Sequence, residues 1–314
     1  MLYVAHRLFA AHDRALGAMA ARILGETAGD DNVFLPFCDT DEEDLVADVK
    51  GLRLFELDSA RLMHLSGMLA LLHGPSLDDG VCMEIGFAAA LGVPVVALTT
   101  DFITYAATPD GPSWSFPDPL IDFLAADVSG ARMLGAAPEG RSGRFADFEH
   151  RNRAQLVDAV HLACQRLLEL ARPAQVADTK PACEQRLAFV EPSPYSSGSD
   201  ADEIGVALHE LGYRVATANR LSVNDPFGGA AADWAAAASA DLLVADVSGP
   251  EAPPGAAAMI GAAVATGRTV LAYNPAPAWT FAHGREPNWR NLMIQYGVSG
   301  MFATPAEIKA LVRR

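Results

Sequence analysis

Short apolar runs alternate with longer amphipathic segments along the first half of the chain. Apolar runs lie at 2–5, 33–36, 68–72 and 94–98, and the segments between them space their apolar residues as helices do. Continuous apolar runs of this length are typical of strands in a parallel sheet that is covered on both faces. The pattern therefore predicts βαβ units and an α/β fold.

The second half of the chain has the same order of elements. Its apolar runs lie at 187–190, 213–216, 242–247 and 269–273. Segments 58–97 and 233–272 align without a gap, and the alignment pairs Gly80 with Gly255, Gly86 with Gly261, and Gly92 with Gly267. We interpret this register as a tandem duplication, the sequence signature of a repeated structural unit.

Differences between the two halves set the predicted domain boundaries. The first repeat carries an insertion at about 101–151, rich in Gly, Pro and Ser, and a helix is predicted after it. The stretch 171–184 contains two prolines and is predicted to be a linker. We expect domains at 1–170 and 185–314, each a flavodoxin- or Rossmann-like repeat with a parallel sheet.

Composition narrows the classes of function. The 23 Lys+Arg and 39 Asp+Glu residues give a net charge of −16, which argues against binding to nucleic acid or to an anionic membrane. No apolar run approaches the length that spans a bilayer, and the start lacks the features of a signal peptide. The four cysteines form no CxxC motif, so neither a disulfide framework nor a zinc site is predicted. We expect a cytoplasmic protein without a metal or an organic cofactor.

The segment from Asp78 to Gly86 carries the strongest chemical signal. A turn delivers the carboxylates of Asp78 and Asp79, Gly80 permits a tight backbone, and Glu84 falls in the first turn of the helix that follows. A glutamate there can simply complement the helix dipole. The second repeat keeps the glycines but has Pro253, Pro254 and Met259 at the positions of the three carboxylates. Joint loss of the carboxylates favours one working site and one that has lost its chemistry.

These residues resemble the nucleoside 2-deoxyribosyltransferase family. The resemblance covers most of the first repeat to about residue 102 and, weakly, the second repeat, and it rests on the pattern Tyr3-x-Ala5, Phe9, Pro36, Asp58 and Asp78-x-Gly80-x-x-x-Glu84-Ile85-Gly86-x-Ala88. In that family a glutamate attacks C1′ of a 2′-deoxynucleoside and expels the base, and a second base or water then takes the sugar. This is a double displacement like that of a retaining glycosidase.

The resemblance implies a role for each matching residue. Glu84 is the expected nucleophile, and Tyr3 matches the tyrosine that orients it. Asp58 and Asp78 match aspartates that contact and protonate the base. Phe9 matches an aromatic residue near the base, although a core position is an equal alternative. Asp79, beside Asp78, is expected among the substrate-binding residues.

One family element is missing from the first repeat and present in the second. The family has an Asn-Leu-Met segment whose asparagine reaches a neighbouring subunit's site and binds the sugar 5′-hydroxyl. Only the second repeat contains this triplet, beginning at Asn291. The resemblance therefore implies that the two repeats pack together as a pseudo-dimer with one composite site, in which Asn291 completes the pocket of Glu84. The alternative role of Asn291 is a helix cap.

The favoured function is transfer of 2-deoxyribose between nucleobases, with a 2′-deoxynucleoside and a free base as the partners. The pseudo-dimer can associate into a higher homo-oligomer. Two alternatives stay open: an N-glycoside hydrolase of deoxynucleosides or their 5′-monophosphates, and a sensor that binds a nucleotide-derived ligand without turnover. His6 and Arg7 lie in the turn after the first strand, where contact with a 5′-phosphate would favour a monophosphate substrate. His64 and His73 have no partner in the sequence at the spacing of metal ligands.

Overall fold

The fold is seen in a computed structural model that describes residues 1–40, 47–131, 143–172, 186–194, 196, 199–281 and 285–312. The predicted linker at 171–184 lies outside the described residues except for its first two positions. Within the described ranges, no helix is both long and apolar enough to cross a membrane.

The first repeat is an α/β unit with a parallel sheet. Its elements are β1 (Leu2–Ala5), α1 (Ala11–Ala28), β2 (Val33–Phe34), α2 (Lys50–Leu62), β3 (Gly67–Leu72), α3 (Asp79–Ala90), β4 (Val95–Thr99), β5 (Tyr105–Ala106), β6 (Ser113–Trp114), α4 (Pro119–Leu124), β7 (Asp127–Gly130) and α5 (Arg144–Leu170). The five-stranded sheet has the order β2-β1-β3-β4-β7, and every pair in it is parallel. The short strands β5 and β6 form a separate hairpin within the insertion.

The second repeat has the same architecture. Its elements are β8 (Leu187–Glu191), α6 (Ser199–Glu210), β9 (Arg214–Thr217), α7 (Pro226–Ser239), β10 (Leu242–Asp246), α8 (Pro254–Ala265), β11 (Thr269–Tyr273), α9 (Leu292–Gly297), β12 (Gly300–Phe302) and α10 (Ile308–Val312). The sheet order β9-β8-β10-β11-β12 repeats that of the first sheet, again with parallel pairs. The predicted pair of doubly wound repeats is therefore confirmed.

The repeats pack through equivalent helices, α3 and α8. A Cβ atom on Gly86 would collide with the carbonyl oxygen of Ala258, and one on Gly261 would collide with that of Met83. These two contacts exchange under the offset of the sequence repeat, as in an isologous dimer interface. A core cluster runs through this interface and joins the inner faces of both sheets. The close backbone approach explains why both repeats keep this glycine.

The register of the sheets shows which residues of the two first strands correspond. Leu2 pairs with Gly67 in the first sheet, and Ala188 pairs with Leu242 in the second. Since Leu242 is the repeat partner of Gly67, Tyr3 corresponds to Phe189. The second repeat therefore lacks the tyrosine hydroxyl as well as the carboxylates.

Candidate active site

A cavity of about 610 Å³ opens between the repeats beside the N-terminus of α3. This volume lies in the range of pockets that hold small molecules, and the position matches the ligand crevice of open parallel sheets. Both repeats contribute to its lining, which includes Arg7, Phe9, Asp58, Asp78, Asp79, Gly80 and Glu84 from the first and Glu251, Phe281, Arg285, Trp289, Arg290 and Asn291 from the second.

Glu84 lies in the second turn of α3, not in its first turn as predicted, because the helix already begins at Asp79. Glu84 and Tyr3 form a buried pair at this cavity. The Tyr3 hydroxyl donates a 2.6 Å hydrogen bond to Glu84 Oε1, and Tyr3 is fully buried in β1, an interior strand of the sheet. Burial raises the pKa of the Glu84 carboxyl to about 8, and the Tyr3 hydrogen bond opposes that shift. Tyr3 does not line the cavity itself, so it acts on any ligand through Glu84.

The two aspartates at the start of α3 have different structural partners. Asp78 is the N-cap of α3 and accepts a 2.9 Å hydrogen bond from the Val81 amide. Asp79 accepts a 3.1 Å hydrogen bond from the Ala252 amide of the second repeat. Burial raises the pKa of Asp78 and, with the neighbouring Asp78 charge, raises that of Asp79 to about 7. Asp79 therefore also ties the two repeats together at the cavity wall.

Asp58 lies within α2, and it lines the cavity. Its carboxylate accepts a 3.2 Å hydrogen bond from Arg61, whose guanidinium stacks 4.1 Å from the ring centroid of Phe34. Burial raises the pKa of Asp58 to about 6, although Arg61 counteracts the shift. The carboxyl group thus exchanges its proton near neutral pH.

Asn291 reaches the cavity from the second repeat, and it also caps a helix. Its Oδ1 accepts a 3.0 Å hydrogen bond from the Met293 amide at the start of α9. Its amide nitrogen lies so near Gly80 that a Cβ atom there would stand only 2.5 Å away. The structure therefore brings Asn291 beside the turn that carries Asp78 and Glu84. Gly80 is needed here for this approach.

Phe9 lies at the mouth of the cavity and is 67% exposed. The core alternative for this residue is therefore wrong. Phe281, from the second repeat, also lines the cavity and is 77% exposed. Exposed aromatic faces at a pocket entrance are suited to stacking on a flat ring system.

Several lining residues, such as Glu251 and Arg290, were not predicted from the sequence, whereas Arg7 was named there for contact with a 5′-phosphate. Arg7 lies 3.6 Å from Asp78 and forms an ion pair with Glu251. Arg290 donates hydrogen bonds to the carbonyl oxygens of Val247, at 2.8 Å, and Gly249, at 2.6 Å. The position of Arg290 directly before Asn291 was the one available signal. The contacts of Arg7 and Glu251 join distant parts of the chain and leave no local pattern.

The equivalent place in the second repeat is filled by protein. Arg220, only 2% exposed, places Nη2 2.6 Å from both Asp118 Oδ2 and Glu191 Oε1, and Nη1 3.3 Å from Asp233 Oδ2. A Cβ atom on Gly255 would collide with both Arg220 and Asp118. Asp118 belongs to the first repeat and contacts the second repeat, just as Asn291 belongs to the second repeat and contacts the first.

Comparison with known protein families gives a match to the first repeat. Residues 2–143 match the family model for nucleoside 2-deoxyribosyltransferase, which confirms the resemblance over that stretch. The matched stretch contains Tyr3, Asp58, Asp78 and Glu84, whereas Asn291 lies outside it. No curated protein matches the chain.

Two solved structures are similar in part. A conserved protein from Enterococcus faecalis V583 is 33% identical over 32% of this chain, with a TM-score of 0.28, and the chain covers 64% of its length. The bacterial iron-containing dodecameric glycosyltransferase TibC from enterotoxigenic E. coli H10407 is 12% identical, with 79% of this chain and 76% of TibC covered and a TM-score of 0.29. TM-scores this low support no conclusion about the fold or the chemistry of this chain.

Proposed function

We propose that this chain, whose residues 2–143 match the nucleoside 2-deoxyribosyltransferases, moves 2-deoxyribose from one nucleobase to another. In this proposal, residues 1–170 carry the chemistry and 185–314 complete the site. The observation that carries the proposal is the Tyr3–Glu84 hydrogen bond at a cavity that Asn291 enters from the second repeat. A carboxylate held by a buried hydroxyl is suited to nucleophilic attack on a sugar carbon.

In the first half-reaction, a Glu84 carboxylate oxygen attacks C1′ of a 2′-deoxynucleoside. The bond between C1′ and the base nitrogen breaks, and its electron pair goes to the base. Asp58, with its raised pKa, supplies the proton that the departing base takes up. Asp78 contacts the base, and the product is a 2-deoxyribosyl ester on Glu84.

In the second half-reaction, a nitrogen of an incoming base attacks C1′ of the ester. The bond to Glu84 breaks and the carboxylate is regenerated, while the proton from the incoming base returns to Asp58. Attack by water in place of the base gives free 2-deoxyribose, which is the hydrolase alternative. Tyr3 stabilises the carboxylate each time it forms, because its hydroxyl donates to the ionised group.

Charge pairing in the cavity favours an uncharged nucleoside over a 5′-monophosphate. The Arg7 guanidinium is already matched by Asp78 and Glu251, and Arg290 donates to backbone carbonyl groups. A phosphate would have to displace these partners and would face the carboxylates that line the cavity. We assign Asn291 to the sugar, with its amide group donating to the 5′-hydroxyl, and Phe9 to the face of the base.

One assay tests the proposal. The protein is incubated with thymidine or deoxyinosine, with and without adenine, and the products are separated. We expect deoxyadenosine to form only when adenine is present. Release of free base at the same rate without an acceptor, and no deoxyadenosine, would instead support the hydrolase. Absence of products from nucleosides and monophosphates alike would support the ligand sensor.

A further inference from the structure

Two histidines and an aspartate meet on the first repeat outside the candidate active site. His12 and Asp13 lie in the first turn of α1, and His73 directly follows β3. His73 Nε2 lies 2.6 Å from Asp13 Oδ1, and His12 Nε2 lies 3.4 Å from the same oxygen. The three residues each offer one ligand atom within 4.8 Å of the others. The sequence does not suggest this cluster, because 60 positions separate Asp13 from His73.

The cluster contains unsatisfied buried polar atoms. Asp13 is only 1% exposed, and among the described residues its Oδ2 has no hydrogen-bond partner. His73 Nδ1 is likewise buried and without a partner there. A buried carboxylate oxygen with no donor is costly, since desolvation is not compensated. A bound cation would compensate this buried charge.

Of the two distances to Asp13 Oδ1, the one from His12 is close to that in a zinc site, and the one from His73 is a hydrogen-bond distance. Zn²⁺ binds imidazole nitrogen and carboxylate oxygen at about 2.0–2.2 Å, so tetrahedral ligand atoms lie about 3.3 Å apart. The separation between His12 and Asp13 already has this value, and that between Asp13 and His73 needs to widen by several tenths of an ångström. His12 is 80% exposed, which leaves room for a solvent ligand on the open side.

We propose that His12, Asp13 and His73 bind one Zn²⁺ ion, with water completing the coordination. The ion joins the start of α1 to the end of β3. These segments adjoin the loops that carry Phe9 and Asp78, so the ion holds one side of the cavity together. None of the three ligands lines the cavity, and the site therefore stands apart from the proposed transfer chemistry.

Zinc titration without nucleoside tests the site directly. We expect one equivalent of Zn²⁺ to bind with a micromolar or tighter Kd in competition with a chromogenic chelator, and Co²⁺ to give the visible absorption of a low-coordinate site. The variant H12A removes an exposed ligand with little risk to folding, and H64A removes an exposed histidine outside the cluster. H12A should weaken zinc binding by at least about 10-fold, by analogy with losses at coordinated sites.

Thermal unfolding gives an independent readout. Zinc should raise the Tm of the wild-type protein and of H64A, because it binds the folded chain, and should raise that of H12A much less. Absence of saturable binding by the wild-type protein at about 100-fold the micromolar Kd expected for such a site would overturn the proposal. Equal binding by H12A and the wild-type protein would also overturn it, since the zinc would then bind elsewhere.

Discussion

The two repeats share a scaffold and differ in what occupies their equivalent crevices. In the first repeat, Gly80 faces Asn291, and the space beyond it is a cavity with Glu84 in its wall. In the second repeat, Gly255 faces Asp118, and the guanidinium of Arg220 fills the space. Each crevice thus receives a helix-capping side chain from the opposite repeat.

The residues that both repeats keep are those that the scaffold needs. Gly86 and Gly261 allow α3 and α8 to touch, and Gly80 and Gly255 admit the side chain that crosses between repeats. The residues that differ are the chemical ones: the second repeat has Phe189, Met259 and Pro253 at the positions of Tyr3, Glu84 and Asp78. Packing constraints therefore act on both copies. Asp233 stands at the position of Asp58, but the carboxylates of Asp78, Asp79 and Glu84 are confined to the first copy.

The largest effect should come from the proposed nucleophile. We expect Glu84→Gln to lower kcat/KM for base exchange by at least about 1,000-fold, because the amide cannot form the glycosyl ester. The matched change in the second repeat, Met259→Leu, conserves volume and should leave the rate within about threefold. Steady-state kinetics on both variants, with circular dichroism to verify folding, measures the contrast. An E84Q variant within tenfold of the wild-type rate would refute the assignment of Glu84.

Arg220 should affect stability and leave the chemistry alone. Arg220→Met strands the carboxylates of Asp118, Glu191 and Asp233, and loss of one partner from a buried ion pair costs about 3–5 kcal/mol. Denaturant unfolding measures this loss, and Arg214→Met, a change at an exposed position, should cost less than about 0.5 kcal/mol. If R220M keeps its stability but loses exchange activity, the second crevice takes part in the reaction and the comparison fails.

Asn291 should affect substrate binding more than turnover. Asn291→Asp keeps an oxygen to cap α9 but removes the amide donors proposed to hold the sugar. We expect KM for the nucleoside to rise about tenfold, as for the loss of one hydrogen bond, with kcat and the unfolding midpoint little changed. Unchanged KM in both Asn291→Asp and Asn291→Ala would rule out the composite site.

The smallest effect is a shift of the pH profile. In the proposed reactive form, Glu84 is ionised and Asp58 is protonated. The pKa of Glu84 is about 8, and that of Asp58 is about 6. Below pH 6 too little Glu84 is ionised, and above pH 8 too little Asp58 is protonated. We therefore expect kcat/KM to form a bell with limbs near these values.

Tyr3→Phe sharpens this test. Removal of the hydroxyl removes the hydrogen bond that lowers the pKa of Glu84, so the upper limb should move to higher pH. The rate at pH 7 should fall by about tenfold for each unit of that shift. A Tyr3→Phe profile with both limbs in their original places would show that Tyr3 does not tune the nucleophile.

Much of this architecture is readable from the sequence because it depends on local patterns. Apolar runs predict the strands, and the gapless register of the glycines predicts two equivalent units. The turn before Glu84 is predicted in the same way, since Asp78, Gly80 and the helix start are neighbours in the chain. The correspondence of Tyr3 with Phe189 was not predicted, because a run of apolar residues does not fix the register of a strand.

Contacts between residues that lie far apart in the sequence were not predicted. Arg220 lies 102 positions from Asp118, and the sequence near either residue does not indicate a buried ion pair. The contact between Arg7 and Glu251 spans 244 positions. Raised pKa values were equally hidden, because they depend on the burial of Glu84 and Asp58 in the folded chain. Only Asn291 was anticipated across the repeats, through a family motif that the first repeat lacks.

In the proposed function, only the crevice of the first repeat carries out the chemistry, through Glu84. Mass spectrometry of the protein quenched in acid during turnover of a deoxynucleoside without an acceptor base tests this most directly. We predict a single 2-deoxyribosyl group on the peptide that contains Glu84, which disappears when adenine is added before the quench. Absence of any adduct while base is released, or an adduct on a peptide of the second repeat, would contradict the assignment of Glu84 as the nucleophile.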